Sequence, residues 1–342
     1  MLKQRLLTAL ILIPLIVWVL LSLSSQTLAW FMSIFVVLGA YEWASICGYS
    51  QKKQPIDVQK NKFLETKFRG SSFFSKKLSR LKFFSLKKTL AETRIQKTWF
   101  LFSDRGDQFF EEKLIASIII YLKNYIYAIT IGLALLILSL FWHKPTMMTI
   151  LIGACLWWIL ALYWILRYQK GHHLIPSSPL VKALLGLLIL LPPWIALLIL
   201  HERFGGEWVL FLFVLIWAAD SGAYFVGQKW GRTKLADQIS PGKSWEGVAG
   251  ALLMTLLISL AYALFKSMPL MTLSYFMLLC LLTVIASIIG DLLESVFKRQ
   301  AGIKDSGQIL PGHGGVLDRI DSLTSAAPIF VVGLISLLGS VF

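Results

Sequence analysis

The chain has 342 residues, 57% of them hydrophobic and 15% charged, with a mean hydropathy of +0.71. Soluble domains carry roughly 25% charged residues, and a core formed by a chain of this length has no room for so much apolar surface, so a soluble globular protein is excluded and a bilayer is the natural solvent. The net charge of +15 then points to an anionic lipid surface or a polyphosphate substrate rather than to nucleic acid.

In chain order, Lys3 and Arg5 precede an apolar run from Leu6 to Leu23. No convincing cleavage site follows it, so it reads as a first transmembrane helix rather than a signal peptide. A second span covers Leu28 to Ile46. Glu42, near its end, reads as a snorkelling interfacial acid.

Residues 51–113 form the largest polar block, with sixteen Lys or Arg against seven Asp or Glu. Phe63, Phe68, Phe73 and Trp99 are among the aromatic residues interspersed in it. Such a block reads either as an arm lying on anionic lipid or as a basic cytoplasmic insertion without chemistry of its own, and the second is the expectation. It contains no recognisable nucleic-acid-binding module, so no nucleic-acid partner is expected.

Seven more spans follow: Tyr125–Trp142, Met147–Leu166, Ala183–Leu200, Trp208–Val226, Gly247–Phe265, Leu270–Ile289 and Thr324–Phe342, each near the roughly 20 apolar residues a crossing helix needs. The fold class is therefore all-α, a polytopic membrane protein of about nine transmembrane helices. Its domains are N-terminal helices in 1–50, the insertion in 51–113 and a transmembrane catalytic domain in 114–342. Placing the N-terminus inside leaves Lys144, Arg203 and Lys266 as the only basic residues in the outside loops. That bias puts the polar motifs on the cytoplasmic side. Cys47, Cys155 and Cys280 form no C-x-x-C pair and read as packing residues.

Three polar constellations interrupt the apolar background. Asp220, in WAADSGAYFVG, lies deep in a span, where an ionisable group must pair with a cation or line a polar cavity; a structural acid bonded to a neighbouring helix is the alternative. The segment Ser240-Pro241-Gly242-Lys243-Ser244 contains a Gly-Lys-Ser triplet, but Asp237 stands where a P-loop needs its first glycine. What remains is a glycine, a lysine and a hydroxyl at a helix start, able to hold an anion or simply to begin the helix.

The third constellation runs from Asp291 to Asp321. Asp291, Ser295 and Lys298 share a helix face, with Glu294 beside them. Gly312, Gly314 and Gly315 flank His313 and let the backbone approach a bulky anion. Asp318 and Asp321 project to one side of a helix. Converging carboxylates suit Mg²⁺, which binds a few acids together with substrate phosphates. Lys298, Arg299, Lys304 and Arg319 would neutralise phosphate oxygens. Acids for a metal beside bases for phosphate are the equipment of phosphoryl or nucleotidyl transfer.

At these residues the chain resembles the phosphatidate cytidylyltransferases. Their signature runs S-x-hydrophobic-K-R-x4-K-D-x-small-x2-hydrophobic-P-x-H-G-G-hydrophobic-x-D-R-hydrophobic-D. It is met here, within 295–321, by Ser295, Lys298-Arg299, Lys304-Asp305, Gly307, Ile309 or Leu310, Pro311, His313-Gly314-Gly315, Asp318-Arg319 and Asp321. The ADSGAY and SPGKSWEG segments and the opening MLKQRL are similar to the family as well.

The resemblance implies an inner-membrane enzyme, a homodimer, that converts CTP and phosphatidate to CDP-diacylglycerol and pyrophosphate. The implied cofactor is Mg²⁺, with a monovalent cation such as K⁺ as a second ion. By carry-over of the motif, Asp291, Asp318 and Asp321 are the metal ligands. Lys298, Arg299, Lys304, Asp305, His313 and Arg319 are the catalytic set. Asp220, Ser240, Gly242, Lys243, Gly314 and Gly315 complete the nucleotide and phosphate pocket. A different class, a cation-coupled transporter using Asp220 and Asp291 as intramembrane ion sites, is the alternative.

Overall fold

The structure, a computed structural model, describes residues 14–49, 106–171, 176, 178–309 and 314–338. Its larger compact unit comprises Met1–Ser50 and Lys123–Phe342. The smaller unit, Gln51–Leu122, is described as helix from residue 106 onward. The insertion read in 51–113 thus lies almost wholly outside the described residues.

Residues 14–22 are helical. Then follow α1 (Ser25–Ala44), which ends in a π-helical turn over Ser45–Tyr49, α2 (Gly106–Leu140), α3 (Lys144–Gln169), α4 (Pro179–Phe204) and α5 (Gly206–Trp230). A two-stranded antiparallel hairpin, β1 (Lys234–Ala236) and β2 (Ser240–Ser244), precedes α6 (Trp245–Phe265), α7 (Leu270–Gln300) and α8 (Leu317–Leu338). Among the described residues eight helices are long and apolar enough to cross a membrane, and the chain is an integral membrane protein. The first of the nine expected spans falls partly outside the described residues.

Two expectations are corrected. The last span begins at Leu317, not Thr324, so Asp318 and Asp321 belong to the first turns of α8. Acids are favoured there because the first amides of a helix are unpaired and its dipole is positive at that end. The SPGKS segment, expected to be a helix start, is instead strand β2 and hands over to α6 only at Ser244. Ser244 is the N-cap, its hydroxyl accepting from Gly247 N at 3.1 Å.

Small residues set the helix spacing. A Cβ on Gly222 of α5 would lie 2.6 Å from Gly250 O of α6, and one on Gly250 would lie 2.6 Å from Gly222 O. The two backbones can approach this closely only because both positions lack side chains. A Cβ on Gly290 of α7 would likewise crowd Asp321 O at 2.6 Å, and Ser325 Oγ of α8 donates to Ala286 O of α7 at 2.7 Å. These crossings bring α5, α6, α7 and α8 together.

The helices alternate in direction, which sorts the polar residues by end. At one end Lys144 pairs with Glu202 at 2.8 Å, Lys266 with Glu207 at 2.7 Å, and Ser25 Oγ lies 2.8 Å from His201 Nδ1. Trp208, Phe211, Tyr262, Phe276 and Phe330 stack nearby. Trp43 Nε1 donates to Lys182 O at the other end, where the hairpin, the C-terminal part of α7 and the start of α8 also meet. α7 has 31 residues, so it rises about 46 Å, against a hydrocarbon thickness of about 30 Å. Cys47 and Cys280 are buried, Cys155 is partly buried, and all three are free thiols.

Candidate active site

The site is built on the last third of α7. Helical periodicity puts Asp291, Glu294, Ser295 and Lys298 on one side, and Ser295 Oγ donates to Asp291 Oδ1 at 3.4 Å. Lys298 is the hub: its Nζ lies 2.7 Å from Asp318 Oδ1 on α8 and 3.2 Å from Glu294 Oε1 on its own helix. All three side chains are largely withdrawn from solvent, at 8% (Lys298), 5% (Glu294) and 13% (Asp318) exposure. Charges held this dry persist only in company.

The hairpin supplies the second base. Lys243, from the Gly-Lys-Ser triplet, reaches Asp291 Oδ2 at 2.6 Å. Asp220 on α5 lies within Coulombic reach of both Asp291 and Lys243. Gly242, beside Lys243, faces open space; Ser240 opens β2. Lys234 Nζ donates to Pro241 O at 2.6 Å and fixes the strand end. Asp220, Gly242, Lys243 and Asp291, expected from separate segments to share one site, are gathered at one end of the bundle.

Asp318 holds the signature loop. Its carboxylate accepts from Ser306 N at 3.0 Å and Gly315 N at 2.9 Å, in addition to the Lys298 ammonium. Gly314 has φ +87°, a conformation open to glycine and strained for most other residues. Gly315 is buried, whereas Lys304, Asp305 and Arg319 are exposed on the rim. Arg299, expected to engage phosphate, donates through Nε to Ile239 O at 3.1 Å and through one terminal nitrogen to Ile303 O at 3.2 Å. It straps the hairpin to the loop. His313, with Pro311 and Gly312, lies outside the described residues.

Asp321 sits one turn further along α8, within electrostatic reach of Asp291, Glu294 and Lys298; its Oδ1 accepts from Ser322 N at 2.7 Å. The carboxylate oxygens of Glu294 are buried, and among the described residues the Lys298 ion pair at 3.2 Å is their compensation.

Hard carboxylate oxygens around an under-compensated buried acid fit a hard cation. Among the described residues no three acids, histidines or cysteines are close enough to hold an ion unaided. Mg²⁺ does not require that, since it keeps waters and takes one or two carboxylates with substrate phosphates. Asp291 already meets Lys243 and Ser295, Asp321 accepts from Ser322 N, and Asp318 is engaged by Lys298, Ser306 and Gly315.

Glu42 overturns the interfacial reading. It is 2% exposed, and its carboxylate accepts from Ser306 Oγ at 3.1 Å, Val316 N at 3.1 Å and Leu317 N at 2.8 Å. The amides at the start of α8 stabilise a buried carboxylate better than the headgroup region would. An acid near the end of an apolar run was the one signal in the sequence. Its partners lie more than 260 positions away.

Known proteins resemble this chain in sequence. A model of the cytidylyltransferase family matches residues 108–337. A protein of Pseudomonas aeruginosa described as phosphatidate cytidylyltransferase is 36% identical over 334 residues, covering 96% of each chain. Another so described, from Haemophilus influenzae, is 44% identical over 191 residues, 53% of this chain and 66% of that protein. A third, from Bacillus subtilis, is 41% identical over 137 residues, 40% of this chain and about half (51%) of that relative. Nothing among these matches supports the transporter alternative. With its acids, bases and glycines gathered at one end of a helical bundle, the chain belongs to the cytidylyltransferase family of nucleotidyl-transferring enzymes.

Proposed function

We propose that the chain transfers CMP from CTP to phosphatidate, forming CDP-diacylglycerol for phospholipid synthesis and releasing pyrophosphate. The observation that carries this reading is the Lys243–Asp291 contact at 2.6 Å. It joins the hairpin, with its phosphate-binding residue types, to the acidic face of α7.

In the reaction an oxygen of the phosphatidate phosphate attacks the α-phosphorus of CTP. A new P–O–P link forms, and the bond from the α-phosphorus to the bridging oxygen breaks, its electrons leaving with pyrophosphate. No covalent nucleophile is needed, because the phosphomonoester already carries anionic oxygens. Lys243, Lys304 and Arg319 hold and orient the two polyanions. Lys298 keeps Asp318, and through it the glycine loop, in register with α7. Arg299 fixes the hairpin. Asp291 and Asp321, with Asp318 at the loop base, would hold Mg²⁺, and a monovalent cation such as K⁺ would be the second ion. When bound, the divalent ion neutralises the charge that develops on pyrophosphate. His313-Gly314-Gly315 complete the pocket around the nucleotide.

The basic bias of the loops supports a cytoplasmic active site in a bacterial inner membrane, with the acyl tails of phosphatidate left in lipid. The homodimer rests on the family resemblance. The basic, aromatic-spiked composition of 51–113 supports reading it as an insertion between the N-terminal helices in 1–50 and the catalytic part in 114–342.

The test is incorporation of radiolabelled CTP, with phosphatidate, into a chloroform-soluble product by the purified protein, with and without Mg²⁺. Label in the organic phase that depends on both lipid and metal is the expected result. No organic-phase label, or full labelling in a chelator, overturns the reading.

A further inference from the structure

Glu42 lies on α1, outside the matched family region, and none of the roles above uses it. The chain enters the signature loop at Ser306 and Gly307 and leaves it at Gly315, Val316 and Leu317. Glu42 binds both sides: Ser306 Oγ on entry, and Val316 N and Leu317 N on exit. A Cβ on Gly307 would run into Glu42 Oε1, and one on Gly315 would lie 2.5 Å from Oε2. The two glycines therefore leave the space that the carboxylate fills. Asp318 grips the same two points from the α8 side, through Ser306 N and Gly315 N. The loop base is pinned between two carboxylates, one of them also holding Lys298.

We infer that Glu42 is a positioning residue for nucleotidyl transfer: it fixes the base of the signature loop and thereby sets Asp318, Lys298 and Asp321 at their working distances. This rests on the proposed function. Burying a carboxylate is costly, and a hydrophobic side chain would close the same gap between α1 and α8 without that cost. What a hydrophobic residue cannot do is accept three donors and so define one loop conformation. A glutamine keeps the shape but offers one acceptor oxygen where two are needed and turns an N–H group toward donors. An aspartate keeps the charge but is one methylene short.

The experiment uses the full-length enzyme in lipid nanodiscs, with Glu42→Gln, Glu42→Asp, Gly307→Ala and Ser306→Ala. It measures kcat, KM for phosphatidate, the Mg²⁺ concentration for half-maximal rate, and thermal unfolding. Misplacing reacting groups by about 1 Å costs on the order of 100-fold, so Glu42→Gln should lower kcat by about 10- to 100-fold. KM for phosphatidate should stay near the wild-type value, and the Mg²⁺ midpoint should rise by about threefold or more. Ser306→Ala, which removes one of the three bonds, should shift kcat and the Mg²⁺ midpoint in the same direction by a smaller factor. A purely structural role would lower the unfolding temperature while leaving both quantities unchanged per folded molecule.

Wild-type kcat and Mg²⁺ midpoint in Glu42→Gln and Ser306→Ala would overturn the inference. If Glu42→Gln does not fold, Ser306→Ala alone decides. A wild-type protein that forms no lipid product, or needs no metal, would instead sink the proposed function.

Discussion

Lys298 Nζ and Asp318 Oδ1 meet at 2.7 Å across two helices and twenty positions of chain. The lysine is 8% exposed and also faces Glu294. Removing one partner of a buried pair typically costs about 3–5 kcal/mol, because the other charge is left uncompensated. Lys298→Met should therefore unfold at a markedly lower temperature in detergent and lose activity. Combining it with Glu294→Gln should recover part of the stability, since the buried charge then falls with the ammonium.

Asp291→Asn and Asp321→Asn keep the size of each side chain and remove its charge. If these acids hold a divalent ion opposite the polyphosphate, each substitution removes electrostatic stabilisation of the kind worth about 10²–10³ in rate. The lipid-soluble product formed from labelled CTP should drop by that order while thermal unfolding stays close to wild type. Activity near the wild-type level in either variant would refute the ligand assignment.

Lys243→Ala frees Asp291 Oδ2 of its only ion-pair partner among the described residues. The proposed role is phosphate contact by a base that contributes about 1.5–3 kcal/mol in charge-assisted hydrogen bonds. The expected outcome is a KM for CTP raised by about tenfold or more, with KM for phosphatidate little changed, read from initial rates at varied CTP. An unchanged KM for CTP would reduce Lys243 to a neutralising partner of Asp291.

Gly250→Val places a branched side chain where even a Cβ would sit 2.6 Å from Gly222 O. α5 and α6 must separate, and overpacking of this kind costs about 1–3 kcal/mol or more. Asp220 rides on α5 two residues before Gly222, so activity should fall together with stability. Alanine at Gly242, where a Cβ meets nothing within 4 Å, is the contrasting substitution and should leave the unfolding temperature at the wild-type value.

Chelation gives a further outcome. Excess EDTA should abolish product formation and added Mg²⁺ should restore it, whereas KCl added without a divalent ion should not. Restoration by KCl alone would mean that the acidic face serves a monovalent ion first.

The acidic face of α7 was legible because helix periodicity is local: Asp291, Ser295 and Lys298 fall on one side by spacing alone. The spans were legible through hydropathy, and the place where that failed is instructive. Asp318 and Asp321 depress the apolar average, so the last helix was started seven residues late, although a helix N-terminus is where acids are favoured. The hairpin escaped because strands of three and five residues, one containing Pro241-Gly242, leave little pattern to read. The carbonyl partners of Arg299, Ile239 and Ile303, could not be read from its type and motif position, because they arise only from the tertiary fold. Glu42 was misread for the same reason, its meaning being set by residues at the far end of the chain.

The length of α7 has a consequence for where in the bilayer the enzyme works. Its 31 residues outreach the hydrocarbon slab by about 16 Å, so its acids stand on a post whose height above the acyl chains is set by membrane thickness. Thin the bilayer and the post protrudes; thicken it and the carboxylates sink toward oil unless the helix tilts. A catalyst mounted this way is a depth gauge as well as a synthase, and its turnover should track the chain length of the lipids that surround it.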